Sequence, residues 1–349
     1  KPFPQANVII NPKKDNGYIE YDYLCATTLT YFFLDILIKK IKCKINLRKY
    51  LIYVLLATVC DVMPMRKLNR LIAITALEEF DINENIAIKE LYKLTNKKNK
   101  INIDDLGFLI GPILNSGGRL GKSGYAVDLL SSDDHKVITK KSLELLELND
   151  KRKKIEHNIL KNIDFEKIEK ENKNVILHYD PNINEGLIGI IAARLKDYFN
   201  KPSIVMTNSK NFIKSSARST SNFNIGRSIR RSLDQNIISN GGGHNMAAGF
   251  ILRKSNLSIF EKFIQSDFLK YNTSFDTIFR YDSQISTTAF NKDFFDDIKK
   301  IEPFGNENPS PVFLFKDLKV IKLTVLKEKY ISCILKSKIG FSINSISFH

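Results

Sequence analysis

Asn240-Gly241-Gly242-Gly243-His244-Asn245-Met246-Ala247-Ala248-Gly249-Phe250-Ile251-Leu252 is the stretch on which the reading of this chain turns. Consecutive glycines let a backbone approach a ligand closely. His244 adds a side chain able to donate to a phosphate or a base, and the small Ala247 and Ala248 allow tight packing behind it. A lone histidine is more often a satisfied structural residue; the flanking glycines favour a ligand here.

Working outward, the surroundings alternate strand and helix. Strands are expected over 175–179, 203–206 and 212–216, and helices over 187–199, 225–233 and 257–269. Before this unit, 137–173 carries Leu145, Leu148, Ile155, Ile159 and Ile163 at near-helical spacing with no Pro or Gly. It predicts one long amphipathic helix between two domains. Further back, 7–12 reads as a β-run, 23–41 as a largely buried helix, and 51–59 as an apolar element ending at Asp61. The apolar segment 104–114 breaks at Asn115-Ser116-Gly117-Gly118-Arg119, a glycine-containing turn whose N–H groups and guanidinium suit a phosphate. After about 275 the pattern turns β-rich, over 279–285, 312–315, 320–325 and 331–335. A small barrel or sandwich suits that spacing, and the chain stops at His349 before such a domain is complete.

Composition bounds the partners. The 349 residues exceed the usual span of one core, so two or three domains are expected. Net charge is +16, from 54 Lys+Arg against 38 Asp+Glu. That excess suits a polyanion, but a Lys-, Asn- and Ile-rich composition accounts for it equally well. No apolar run approaches the roughly 20 residues of a membrane span, and no signal peptide follows Lys1. Cys25, Cys43, Cys60 and Cys333 are scattered without a CxxC pair, which argues against a disulfide framework and for a reducing cytoplasm. A first residue other than Met marks a processed chain or a piece of a longer one.

Four segments, taken in order, resemble the RecJ-type exonucleases of the DHH phosphoesterase superfamily. They are Ala57-Thr58-Val59-Cys60-Asp61-Val62-Met63-Pro64 with Asn69-Arg70; Gly111 to Leu120; Ser216-Ala217-Arg218-Ser219 leading to the glycine-rich stretch; and Glu302-Pro303-Phe304-Gly305-Asn306-Glu307-Asn308-Pro309-Ser310-Pro311. The resemblance implies an α/β architecture: the C-terminal part of a DHH domain over 1–130, a linker helix over 131–173, a DHHA1 domain over 174–272 and a partial OB-fold over 273–349. It implies metal-dependent 5′-to-3′ hydrolysis of single-stranded DNA in repair and recombination. The chain is read as a monomer without membrane contact, and a helicase or single-strand binding protein is a possible partner.

The resemblance also assigns roles. Asp61 becomes the last aspartate ligand of a two-metal Mn²⁺ or Mg²⁺ site, since hard cations take oxygen ligands; the plain alternative is a turn aspartate. The remaining family ligands would precede Asn7, where this sequence has none, so the chain alone is expected to be inactive. Asp133-Asp134-His135 imitates the family triplet but reads as helix capping. Asn115, Gly118 and Arg119 are assigned to the DNA end or scissile phosphate. Arg218, Ser219, Gly242, Gly243 and His244 are assigned to a substrate groove, although alanyl-tRNA synthetase carries a similar glycine motif. Ile183-Asn184 stands where the family commonly has Trp-His. In the OB-like segment Phe304 and Phe313 are stacking candidates and Lys327 and Lys329 groove candidates. The rival readings are a catalytically inactive nucleic-acid-binding scaffold and a nuclease for short RNA oligonucleotides.

Overall fold

The computed structural model describes residues 5–13, 19–271, 279–326 and 330–348; Lys327 and Lys329 lie outside the described residues. Along the chain the helices α1 (Ala26–Ile41), α2 (Leu51–Cys60), α3 (Lys67–Glu79), α4 (Ile86–Leu94), α5 (Gly111–Arg119) and α6 (Tyr125–Ser131) come first. Next are α7 (His135–Asn162), α8 (Phe165–Glu171), β1 (Ile176–Tyr179), α9 (Ile188–Phe199), β2 (Ser203–Ser209) and β3 (Phe212–Arg218). Then follow α10 (Ile225–Asp234), β4 (Asn240–Gly243), β5 (Ala247–Leu252) and α11 (Leu257–Tyr271). The last elements are β6 (Ser283–Gln284), α12 (Lys292–Lys299), β7 (Phe313–Leu314), β8 (Lys319–Leu326), β9 (Tyr330–Lys336) and β10 (Ser342–Ser347). The chain divides into two compact units. One comprises Lys1–Asp81, Lys100–Gly107 and Ile278–His349; the other comprises Ile82–Asn99 and Phe108–Thr277.

In the first unit α2 packs between α1 and α3. It buries Leu51, Ile52, Val54, Leu55 and Leu56, because its apolar residues run nearly unbroken around the helix. The expected β-run over 7–12 is not a strand: Val8 and Ile10 are exposed, and no described strand pairs with it. A strand needs a partner to satisfy its backbone, whatever its propensity. Nor is α1 largely buried. Thr28 alone among its residues is fully buried, while Phe32, Phe33, Ile36 and Ile41 are exposed.

The β-rich expectation for the C-terminal segment holds, with differences. Strands β8, β9 and β10 form an antiparallel meander, and β6 pairs in parallel with β7. No closed barrel forms among the described residues. Helix α12 interrupts the strands, started by Asn291, whose side chain accepts from the Phe294 amide.

The second unit holds a helical layer and a mixed sheet. Helices α4, α5 and α6 pack on α7 and bury Ile88, Leu91, Ile113, Leu129, Ile138 and Leu145. Asp134 caps α7 through the Lys136 amide, the role read for the Asp133-Asp134-His135 segment. The long helix expected over 137–173 is two helices. Asp164 accepts from the Lys167 amide and starts α8 afresh, so an acidic cap residue outweighs continuous apolar spacing.

The sheet order is β1-β2-β3-β5-β4, with β1 and β2 parallel and the other pairs antiparallel. Helices α10 and α11 cover one face. There Ile213, Ala217, Ala248, Phe250 and Leu252 meet Ile225, Ile229, Phe260 and Ile264. Helix α9 covers the other face, burying Ile188, Ile191 and Leu195 against Ile176 and Val205.

Candidate functional site

The α9 face of the sheet carries the site, and strand periodicity decides which residues reach it. Successive side chains of a strand point to opposite faces. Ile213, Ser215 and Ala217 are buried, so Lys214, Ser216 and Arg218 point the other way. Ser216 pairs with Gly249 of β5, and Gly249 pairs with Gly242 of β4. These three residues form one row across three strands. A Cβ built on Gly242 would meet nothing within 4 Å, and one on Gly249 would meet only the Ser215 carbonyl oxygen, at 3.8 Å. The row is therefore a floor of nearly bare backbone open to solvent.

The other glycines serve packing. A Cβ on Gly241 would lie 2.6 Å from the Phe250 Cβ, and one on Gly243 would lie 2.5 Å from the Ala248 Cβ. Gly226, in the first turn of α10, lies against the backbone of Gly243 and His244 in the same way. Gly242 thus faces the open side, whereas Gly243 makes room for Ala248 of β5, and Gly226 lets α10 close on the end of β4. His244 sits exposed in the turn between β4 and β5; its amide donates to the Ala247 carbonyl and its carbonyl accepts from the Gly226 amide.

Arg218 flanks the floor. Its guanidinium donates to the Ser216 hydroxyl at 3.2 Å and to the Ala217 carbonyl at 2.9 Å. Burial pushes its pKa down, and the nearby positive charge of Arg119 pushes the same way. Two guanidinium groups held close without a carboxylate are mutually repulsive until an anion arrives. Among the described residues neither arginine has an acidic side chain within ion-pair distance. Gly189, in the first turn of α9, faces both Arg218 and the Ser216 hydroxyl. The N-terminus of α9 has no side-chain cap, so its partial positive charge adds to the anion-attracting set.

Arg119 reaches this place from the end of a helix. The segment Asn115–Arg119 is not the turn expected from its glycines; it is the second half of α5. Helical N–H groups donate to carbonyls within the helix, which removes the backbone cradle that reading invoked. Ser116 and Gly117 face α7, where the Ser116 hydroxyl donates to the Ile113 and Leu145 carbonyls. Asn115, Gly118 and Arg119 fall on the outward side, and a Cβ on Gly118 would meet nothing within 4 Å.

Ser219 does not line the groove. It is 1% exposed and its hydroxyl donates to the Phe223 carbonyl. Ser216, Gly249 and Gly189 take the places that sequence reading missed. Period-two alternation from Arg218 back to Ser216 and Lys214 was the available signal.

Asp61 lies in the other unit, at the C-cap of α2. The Val62 amide donates to the Val59 carbonyl and the Met63 amide to the Thr58 carbonyl, a Schellman closure. The left-handed residue of such a closure is usually glycine; here it is Val62, with φ 54. A β-branched residue in that region is strained by about 1–3 kcal/mol. A carboxylate at a helix C-terminus also opposes the helix dipole. Surrounding contacts hold the turn: Asn306 donates to the Val62 carbonyl at 2.7 Å and accepts from the Met65 amide at 2.6 Å. Asn69 donates to the Pro64 and Tyr23 carbonyls, and Arg70 to the Ile301 and Glu302 carbonyls. The Asp61 carboxylate is exposed. Beside it, burial and then the Asp61 charge push the Cys60 thiol up to about 11. Among the described residues no group of three His, Cys, Asp or Glu is placed to hold a metal ion. One carboxylate does not fill a divalent cation's shell, so the described residues do not by themselves fit the ion.

Phe304 is half-buried. Phe313 packs edge-on against Phe294, and Phe290 against Phe315, so Phe313 belongs to a small, half-buried aromatic cluster.

Family models match two stretches: the DHHA1 domain over residues 172–269 and the RecJ OB domain over residues 281–349. The chain is 28% identical to the single-stranded-DNA-specific exonuclease RecJ of Haemophilus influenzae, across 89% of this chain and 57% of that one. It is 26% identical to the Bacillus subtilis protein of the same description, across 90% and 40%. The chain is RecJ-like. It spans about half the length of these curated relatives. Among solved structures, RecJ of Thermus thermophilus in complex with Mg²⁺ superposes with a TM-score of 0.73 at 21% identity, covering 86% of this chain and 46% of that one. A second, in complex with Mn²⁺, gives 0.72. These two likenesses show that this RecJ-like chain shares the fold. Among the described residues no helix is long and apolar enough to cross a membrane.

Proposed function

We propose that this chain is the strand-handling portion of a metal-dependent exonuclease acting on single-stranded DNA with 5′-to-3′ polarity, in repair and recombination. The observation that carries the proposal is the pair of unneutralised guanidinium groups, Arg119 and Arg218, beside the Ser216 hydroxyl and the bare Gly242–Gly249 floor. Charge-assisted hydrogen bonds from arginine suit a phosphate oxygen. The bare floor lets a sugar-phosphate backbone or a base lie against the sheet without reading its sequence. His244 stands exposed next to this row as a further donor, and Asn115 and Gly118 extend the contact surface along α5.

The domain partition is a DHH-type region through about residue 130, a linker of the two helices α7 and α8 through 173, a DHHA1 domain through 272 and an OB-like region beyond. Asp61 would contribute one ligand to a Mn²⁺ or Mg²⁺ site, and its strained, clamped turn supports that role; such an ion would supply Lewis-acid chemistry to phosphodiester hydrolysis. The setting is cytoplasmic, the chain monomeric, and a helicase or single-strand binding protein would deliver the strand.

The test is incubation of this chain with 5′-labelled single-stranded DNA and Mn²⁺, following retention and release of label. Retention without cleavage is expected. Failure to retain the strand overturns the proposal, and cleavage that survives Asp61→Ala refutes the metal assignment.

A further inference from the structure

Resting on the reading of Arg119 and Arg218 as a phosphate site, we infer that Gly186 is its positioning residue: lacking a side chain, it lets the end of α5 seat on the 183–187 loop and so aims Arg119 toward Arg218. A Cβ on Gly186 would lie 2.2 Å from the Arg119 carbonyl oxygen and 2.9 Å from its carbonyl carbon. Backbone cannot yield to such an overlap as a flexible side chain can. Gly186 has no left-handed φ, so its conformation does not require glycine; the approach of Arg119 does. The same residue holds the guanidinium, for Arg119 Nη1 donates to the Gly186 carbonyl at 3.1 Å.

The loop is pinned to the sheet that bears Arg218. Asn184 Oδ1 accepts from the Gly186 amide at 2.8 Å, and Lys214 of β3 pairs with Glu185 at 2.7 Å. The Ile183 carbonyl accepts from the Thr207 hydroxyl of β2, while the Ile183 side chain is buried. Two arginines about 100 residues apart in sequence are thereby referred to one sheet. Asn184 thus braces the loop through a neutral side chain.

A double-mutant cycle tests the inference, reading the affinity of this chain for labelled oligodeoxythymidylate by fluorescence anisotropy. Arg119→Ala and Gly186→Ala are each expected to weaken binding about tenfold. Because Gly186 acts through Arg119, the double variant should be no weaker than Arg119→Ala alone, whereas a merely structural lesion would multiply. Asn184→Ala, which introduces no overlap, should show the same non-additivity if Gly186→Ala fails to fold. Gly186→Ala and Asn184→Ala both binding normally, with Arg119→Ala impaired, overturns the inference. If Arg119→Ala binds normally, the phosphate site itself is refuted and the inference falls with it.

Discussion

A glycine needed for space and a glycine left open for a ligand respond oppositely to the same substitution. Gly241→Ala places a methyl 2.6 Å from the Phe250 Cβ and should destabilise the sheet unit by about 1–3 kcal/mol, as overpacking does. Urea unfolding checks this. A Cβ on Gly242 meets nothing within 4 Å, so the midpoint of Gly242→Val should stay near wild type while single-strand affinity falls. Equal loss of stability in both variants would remove Gly242 from the groove. Cys60 offers a chemical test. A thiol raised to about 11 stays protonated at neutral pH, so its alkylation should be far slower than that of exposed Cys43 and should accelerate only as pH approaches 11. At this scale the sequence was partly legible. Arg218, Gly242 and His244 stand out by type and spacing. Gly243 is identical in type to Gly242, and only the register against Ala248 shows that it serves packing.

Elements carry their own tests. His178 on β1 has its pKa pushed below the usual 6.5 by burial, with Asp180 opposing weakly. The folded state thus favours the neutral ring, and the unfolded chain binds more protons as pH drops. Stability should be full above about 6.5 and decline as pH falls from there toward the lower folded value. His178→Asn should flatten that decline in thermal unfolding followed from pH 7 to 5. Helices α7 and α9 are joined by Glu156, which accepts from Arg152 and Arg194, each at 2.8 Å. Glu156→Ala leaves the nearly buried Arg152 without its carboxylate, bonded among the described residues only to Asn149, and should cost about 3 kcal/mol, read by urea unfolding. The period-two and near-3.6 patterns revealed most of these elements. They failed where a tertiary partner decides, as for the unpaired segment 7–12, or where a single cap does, as at Asp164. The α5 error has the same origin. Gly117 and Gly118 are helix breakers by propensity, but Gly117 is required because Leu145 and the Lys122 carbonyl leave it no room for a side chain.

Across the whole molecule, the surplus of 16 positive charges predicts single-strand binding that weakens steeply with salt, since each neutralised phosphate releases a counterion. Charge alone does not distinguish a nucleic-acid partner from a lysine-rich composition. The distinction comes from where two arginines stand without acidic partners among the described residues, which tertiary structure alone displays. The most direct measurement is the salt dependence of oligodeoxythymidylate affinity for wild type, Arg218→Lys and Arg218→Ala. The account predicts that Arg218→Ala binds about tenfold or more weakly with a shallower salt slope, and that Arg218→Lys restores the slope but only part of the affinity. Wild-type affinity and slope in Arg218→Ala would contradict it.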